Sequence, residues 1–223
     1  MAGEVGIEWV KKYHGRAANL SNTKTQAEGF YNLVDCTRKF NWGDDWAWDI
    51  DFEEPGDDNI WVDTVDIAFF SGHGSANGPM FGVANHDDGE ARPNEIKWGN
   101  NDLEWIAFDA CEILEYSGAG ISDVWTRWKP AFNGLHYILG FRTTTSDEKN
   151  RGKYFALFLN WGYKVRDAWI KACQLTEGSG VQMAYLRAAK SGTNTLDDHL
   201  HGHGYVSPDP HPPVSLVYYS HPC

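Results

Sequence analysis

VDIAFFSGHG (residues 65–74) and WIAFDAC (residues 105–111) decide how this chain folds. Each is a short, almost unbroken apolar run that stops at small or polar residues. A run of that length without polar alternation reads as a strand covered on both faces, as in a parallel sheet. A third block, LHYILGF (residues 135–141), has the same character.

Helical patterns fall around these strands. Residues 23–35 place Ala27, Phe30, Leu33 and Val34 on one face, with Asn22 as a cap. Residues 121–129 put Val124, Trp125 and Trp128 at helical spacing, with Pro130 as the stop. Residues 147–161 turn Tyr154, Phe155, Phe158 and Leu159 inward, and Gly162 serves as C-cap. Residues 165–175 form a further helix, whose i, i+3, i+4, i+7, i+8 series makes Cys173 a core residue. Residues 7–13 fit an opening strand, residues 181–188 fit strand or helix, and residues 214–219 fit a last strand. Strands alternating with helices give an α/β fold of βαβ units, read here as one domain over residues 1–223.

The 223 residues include 11 Trp, 10 Tyr and 11 Phe, enough rings to build a sizeable core. The formal net charge of −12 repels phosphate backbones and argues against nucleic acid as a partner. No run is long enough to span a bilayer and no cleavable apolar leader follows Met1, so the sequence reads as cytoplasmic and not membrane-bound. Cys36, Cys111, Cys173 and Cys223 contain no CxxC pair, which disfavours a zinc ribbon or a redox motif. Residues 41–58 alternate Trp and Asp, a pattern that suggests buried tryptophans beside solvated acids.

The chemistry lies where two of the strands end. One runs into Ser71-Gly72-His73-Gly74 and the other into Asp109-Ala110-Cys111. Ligands of open parallel sheets bind beyond the carboxyl ends of the strands, so neighbouring strands would bring His73 and Cys111 to one rim. A thiolate can attack a carbonyl while an imidazole manages the proton. The Gly74 and Cys111 N–H groups could hold the oxyanion, an effect on the order of 3 kcal/mol per donor. A third, orienting carboxylate is not identifiable.

FFSGHG (residues 69–74) followed by WIAFDAC resembles the signature of the caspase-like cysteine peptidases, a clan that includes caspases, legumains, gingipains, clostripains and separases. The resemblance covers residues 65–111 directly and continues to about residue 161. It implies a three-layer αβα sandwich with a mostly parallel central sheet. It also implies Cys111 as nucleophile, His73 as catalytic imidazole and Gly74 as oxyanion donor. Asp109 before Ala110, and Glu112-Ile113 after Cys111, depart from the Gln-Ala-Cys-x-Gly pattern of caspases. The likeness is therefore to uncharacterised bacterial caspase-like proteins and gingipain-like folds.

The expected activity is a cysteine peptidase acting through a thioester, with a peptide substrate and no cofactor. The loop after the third strand, with Arg142, Thr143 and Thr144, is expected to border the substrate pocket. Asp44, Asp45 and Asp49 would favour Lys or Arg there, and Arg142 a carboxylate. Two other readings stay open. One is a non-proteolytic Cys–His enzyme (a cyclase, transferase or isomerase) whose small-molecule pocket is lined by Trp42, Trp46, Trp48, Trp98 and Trp105. The other is a silent binding module. His199, His201 and His203 at i, i+2, i+4 could meet a metal if extended. Residues 85–90 carry hard oxygen ligands without EF-hand spacing. No metal site is assigned from either.

Overall fold

A computed structural model describes residues 2–83, 86–118, 120–212 and 214–223. In chain order the elements are β1 (Gly3–Trp9), α1 (Thr23–Leu33), β2 (Cys36–Gly43), β3 (Ile67–Ser71), β4 (Gly74–Ser75), β5 (Gly78–Pro79), β6 (Trp105–Asp109), α2 (Val124–Trp128), β7 (Tyr137–Phe141), α3 (Arg151–Asn160), α4 (Val165–Thr176), β8 (Gln182–Ala189) and β9 (Ser215–Pro222). Seven strands form one sheet in the order β2-β1-β3-β6-β7-β8-β9. The first five run parallel, and β8 and β9 continue the sheet antiparallel. β4 and β5 form a small separate hairpin.

The unbroken apolar runs have a direct cause. Successive side chains of a strand point to opposite faces. Ile67, Phe69, Trp105 and Ala107 enter one core, while Ala68, Phe70, Ile106 and Phe108 enter the other. Both faces are covered, so these eight positions are all apolar. α1, α3 and α4 supply Phe30, Phe155 and Trp169 to the first core. α2 supplies Val124 and Trp128 to the second. The chain is thus α/β, with a mostly parallel sheet and helices packed on both sides. Each large buried side chain contributes about 1.5–3 kcal/mol, and Phe69→Ala or Phe108→Ala would cost about 3–5 kcal/mol.

Several boundaries differ from expectation. The opening strand lies earlier, at Gly3–Trp9, and Val10 to Tyr13 leave the sheet to enclose the rim. α1 stops at Leu33 because Val34 turns extended, and Asn22 makes no side-chain cap. The Asp147 carboxylate accepts the Ser21 and Asn22 N–H groups instead, which keeps Asp147 out of α3. α2 begins only at Val124, where Asp123 accepts the Thr126 N–H at 2.9 Å. Residues 181–188 resolve to strand and residues 165–175 to helix. Cys173 is fully buried.

The Trp/Asp stretch inverts its expected pattern. Asp49, Asp51, Glu53 and Asp58 are buried, while Trp46 is 67% exposed. After β2 the chain winds through two short 3-10 turns, Asp44–Trp46 and Asp49–Phe52, that fold the acids inward.

Candidate active site

Ser71 and Asp109 end β3 and β6 and sit opposite each other in parallel register. Both chains therefore leave the sheet at the same edge. His73 and Cys111, each two residues further on, border one cleft of about 60 Å³ together with Ser71, Asp109 and residues 145–147.

The imidazole is held from two sides. The His73 backbone N–H donates to the Tyr13 hydroxyl at 2.6 Å, and the two rings pack with centroids 4.6 Å apart. His73 Nε2 lies 2.8 Å from the Ala18 carbonyl oxygen. A carbonyl can only accept, so the neutral ring carries its proton on Nε2 and its lone pair on Nδ1. Ala18 thereby orients the ring, a role expected of a carboxylate.

Cys111 is half-buried. Its sulfur accepts the Thr145 N–H at 3.4 Å, and the thiol lies 3.6 Å from the Thr145 carbonyl. Burial pushes the thiol pKa up, against the pull of the Thr145 N–H, and Glu112 and Asp109 push it further. The sulfur is hydrogen-bonded to Thr145, with no hydrogen bond between it and His73. Glu112 follows with φ of 59°, a left-handed conformation that costs a non-glycine residue about 1–3 kcal/mol. Its N–H donates to the Thr143 carbonyl at 3.1 Å, which closes the turn.

Gly74 lies against the turn that carries the cysteine. A Cβ there would stand 2.7 Å from Ile113 Cδ1, 2.9 Å from Ala110 Cβ and 3.2 Å from the Cys111 carbonyl oxygen. Only glycine permits that approach, which draws the Gly74 backbone against the turn that carries Cys111.

Beneath the cleft lies an ion network. The fully buried Arg151 guanidinium binds Asp109 and Glu177 and stacks over Phe141 at 4.7 Å. Glu177 also accepts from Thr145 Oγ1 at 2.7 Å and from the Ser146 N–H at 2.8 Å. The base of α3, the end of α4 and the loop over Cys111 are thus tied to one cation. Burial raises the Asp109 pKa to about 7 against the pull of Arg151. For Glu177, burial is outweighed by Ser146, Thr145 and Arg151, which hold it below its ordinary value.

Residues 7–221 match DUF6345, a family described as a domain of unknown function. The chain belongs to DUF6345. No curated protein matches it.

In this DUF6345 chain the other expected substrate residues lie elsewhere. Asp44 accepts the Lys11 and Lys12 N–H groups, each at 2.8 Å. Asp45 pairs with His14 at 2.7 Å, and the buried Asp49 accepts the Gly89 N–H. Arg142 donates to Gln182 at 3.2 Å, and Thr143 accepts the Gln182 N–H at 3.0 Å. The loop after β7 does reach the cleft, but through Thr145, Ser146 and Asp147 rather than through Arg142, Thr143 and Thr144. Trp98 and Trp105 are buried in the two cores, whereas Trp42, Trp46 and Trp48 surround a cavity away from Cys111.

The three neighbouring histidines of DUF6345's C-terminal part do not converge. His201 lies between Asp66 at 2.9 Å and Glu104 at 3.3 Å, and His203 meets Asp35 at 3.1 Å. The His199 N–H donates to the Tyr205 carbonyl. Hydrogen bonds from its ring to Asp66 and Glu104 raise the His201 pKa to about 10. The ligand atoms of Asp66, Glu104 and His201 lie within 4.8 Å of one another, a group that could hold a metal ion. Asn85 lies outside the described residues. From the same turn, Asp87 comes together with Asp49 and Glu53, their oxygens within 4.8 Å of one another. Burial first, then Asp49, Glu95 and Asp87, push Glu53 up to about 8. A hard divalent cation would suit those oxygens.

Sequence reasoning missed Tyr13, Ala18, Arg151 and Glu177. A backbone carbonyl carries no residue signature, and Arg151 and Glu177 reach the site only through tertiary packing.

Proposed function

We propose that this chain is a caspase-like cysteine hydrolase, in the first instance a peptidase, working with Cys111 and His73. The observation that carries the reading is the register of β3 on β6, with Ser71 opposite Asp109, because it delivers an imidazole and a thiol to one cleft.

The chemistry follows from the residues at that edge. His73 Nδ1 takes the thiol proton as Cys111 Sγ attacks the substrate carbonyl carbon. The oxygen gains negative charge and is met by the Gly74 and Cys111 N–H groups. The carbon–nitrogen bond breaks, His73 returns the proton to the departing amine, and a thioester remains on Cys111. Water then attacks the thioester with His73 as base. The acid leaves, and the thiol is restored. Ala18 holds the ring in the tautomer that both steps need. In the resting state Thr145 occupies the sulfur, so substrate must displace that contact before the thiol can reach His73. Asp147 borders the cleft, which favours a cationic side chain before the scissile bond.

Peptide acyloxymethyl ketones carrying Arg, Lys, Asp or Asn test the proposal, with adducts on wild type and Cys111→Ala read by mass spectrometry. We expect an adduct on Cys111 only, strongest with Arg or Lys. No adduct, while iodoacetamide still alkylates Cys111, would exclude the peptidase and leave the small-molecule reading.

A further inference from the structure

The inverted Trp/Asp stretch builds a second cavity. Trp42 is the penultimate residue of β2, Trp46 and Trp48 come from the turns after it, and Trp61 comes from the next bend. The four indoles and Asp51 line a cavity of about 220 Å³. None of these residues borders the Cys111 cleft.

The rings are set at mutual angles that wall a volume instead of filling it. Trp42 and Trp61 meet edge to face at 5.2 Å and 89°, and Trp46 and Trp48 lie 6.1 Å apart. Three are fixed from behind. Trp61 packs on Phe40. Trp48 donates its indole N–H to the Asp45 carbonyl at 2.8 Å and stacks on His86 at 3.7 Å. Trp42 is packed against the buried core. Trp46 stands 67% exposed at the mouth.

Asp51 supplies the charge. It is 1% exposed, and its Oδ1 has no hydrogen-bond donor among the described residues. Behind it lies Glu8 of β1, also 1% exposed, in carboxyl-to-carboxyl contact with Asp51. Asp51 thus brings a buried carboxyl group with an unpartnered oxygen to the cavity walled by the four indoles.

We propose that Trp42, Trp46, Trp48, Trp61 and Asp51 form a binding site for a methylated quaternary ammonium group. A cation is drawn to indole faces by their quadrupoles and to Asp51 by its charge. A plain ammonium or guanidinium would bring several N–H donors into a cavity that offers one carboxylate, and the unpaired donors would oppose entry. A trimethylammonium has no N–H to satisfy and buries methyl groups against the rings. The net charge of −12 reinforces the preference for a cation. The group can belong to a free choline-like molecule or to a trimethylated lysine side chain, which share this head chemistry.

Titration calorimetry and tryptophan fluorescence with tetramethylammonium, choline and 3,3-dimethylbutan-1-ol (the neutral isostere of choline) test the site. A trimethyl-lysine peptide and its unmodified counterpart separate the two sources. We expect choline to bind roughly tenfold or more tightly than the neutral isostere. Trp46→Ala, whose exposed ring the fold does not need, should weaken choline by roughly fivefold to tenfold. Asp51→Asn should weaken it further while leaving the neutral alcohol unchanged, with circular dichroism verifying the fold. Equal binding of choline and its isostere, or no response to tetramethylammonium at tens of millimolar, would overturn the proposal.

Discussion

Asp109, two residues before Cys111 in the chain, is clamped by the Arg151 guanidinium, which also holds Glu177. Glu177 in turn anchors Thr145 and Ser146, the residues that cover the thiol. One buried cation therefore positions both the strand that presents the cysteine and the loop above it.

Removing that cation leaves two buried carboxylates uncompensated. Arg151→Ala is expected to destabilise the chain by about 3–5 kcal/mol, read as a drop in denaturant midpoint. Arg151→Lys retains a charge but not the fork that reaches both acids, so its midpoint should fall between Ala and wild type. An Arg151→Lys midpoint equal to that of Arg151→Ala would mean that charge compensation is not what Arg151 supplies.

Burial pushes the Cys111 thiol pKa above its ordinary value. Alkylation of Cys111 by iodoacetamide should be slow at neutral pH and accelerate well into the alkaline range. Peptide mapping after timed quenching gives the rate at each pH. A rate already saturated at pH 6 would show a preformed thiolate–imidazolium pair and contradict the Thr145-bound thiol.

Gly74→Ala forces a Cβ into Ile113 and Ala110. We expect a stability loss of about 1–3 kcal/mol from overpacking and a larger relative loss of Cys111 acylation, because the proposed oxyanion donor is pushed away from the cysteine turn. Acylation rates on the folded fraction separate the two effects. An unchanged rate would remove Gly74 from the oxyanion role.

Stability should fall from mildly acidic to alkaline pH. Asp109 and Glu104 are raised by burial to about 7 and Glu53 to about 8. They bind protons more tightly in the native chain than in the unfolded one, so their contribution is full below about pH 4 and lost as pH passes those values. His201 is raised to about 10 by Asp66 and Glu104. His136, despite its burial, is raised to about 9 by Asp198 and Asp209. Their contribution is full below about pH 6.5 and lost on the same alkaline side. Glu177 and Asp209 are depressed and set the acid limb. The melting temperature should therefore peak near pH 5, at about the ordinary carboxyl range. Glu53→Gln should raise it at pH 8.5 and leave it nearly unchanged at pH 5. A melting curve that rises steadily to pH 9 would reject this assignment.

The sheet was legible in the sequence wherever burial was total. Phe69 and Phe70 face opposite cores, and so do Ala107 and Phe108, so an unbroken apolar run could only mean a strand covered twice. The placement of His73 and Cys111 followed from the same reading, since adjacency of the two strands was enough to bring them together. The Trp/Asp stretch was misread because alternation there does not mark the two faces of a strand. Successive 3-10 turns wind Asp49 and Asp51 inward, and a short helical turn has no two-residue period. The loop after β7 was placed at the cleft but read too early by three residues, since Arg142 and Thr143 are drawn back to Gln182. The Ala18 carbonyl could not be found from side-chain identity at all.

The opposition of Ser71 and Asp109 also divides the chain into rigid and permissive lengths. Each working residue sits two steps past its strand, so one residue inserted at Gly72 or Ala110 would swing His73 or Cys111 out of its present alignment. The connection from Ser75 to Glu104 is not bound by that register, because β3 and β6 are paired directly whatever joins them. Its exposed positions can take insertions, deletions and new specificities around the buried Phe81, Trp98 and Leu103. The two exits must keep their length.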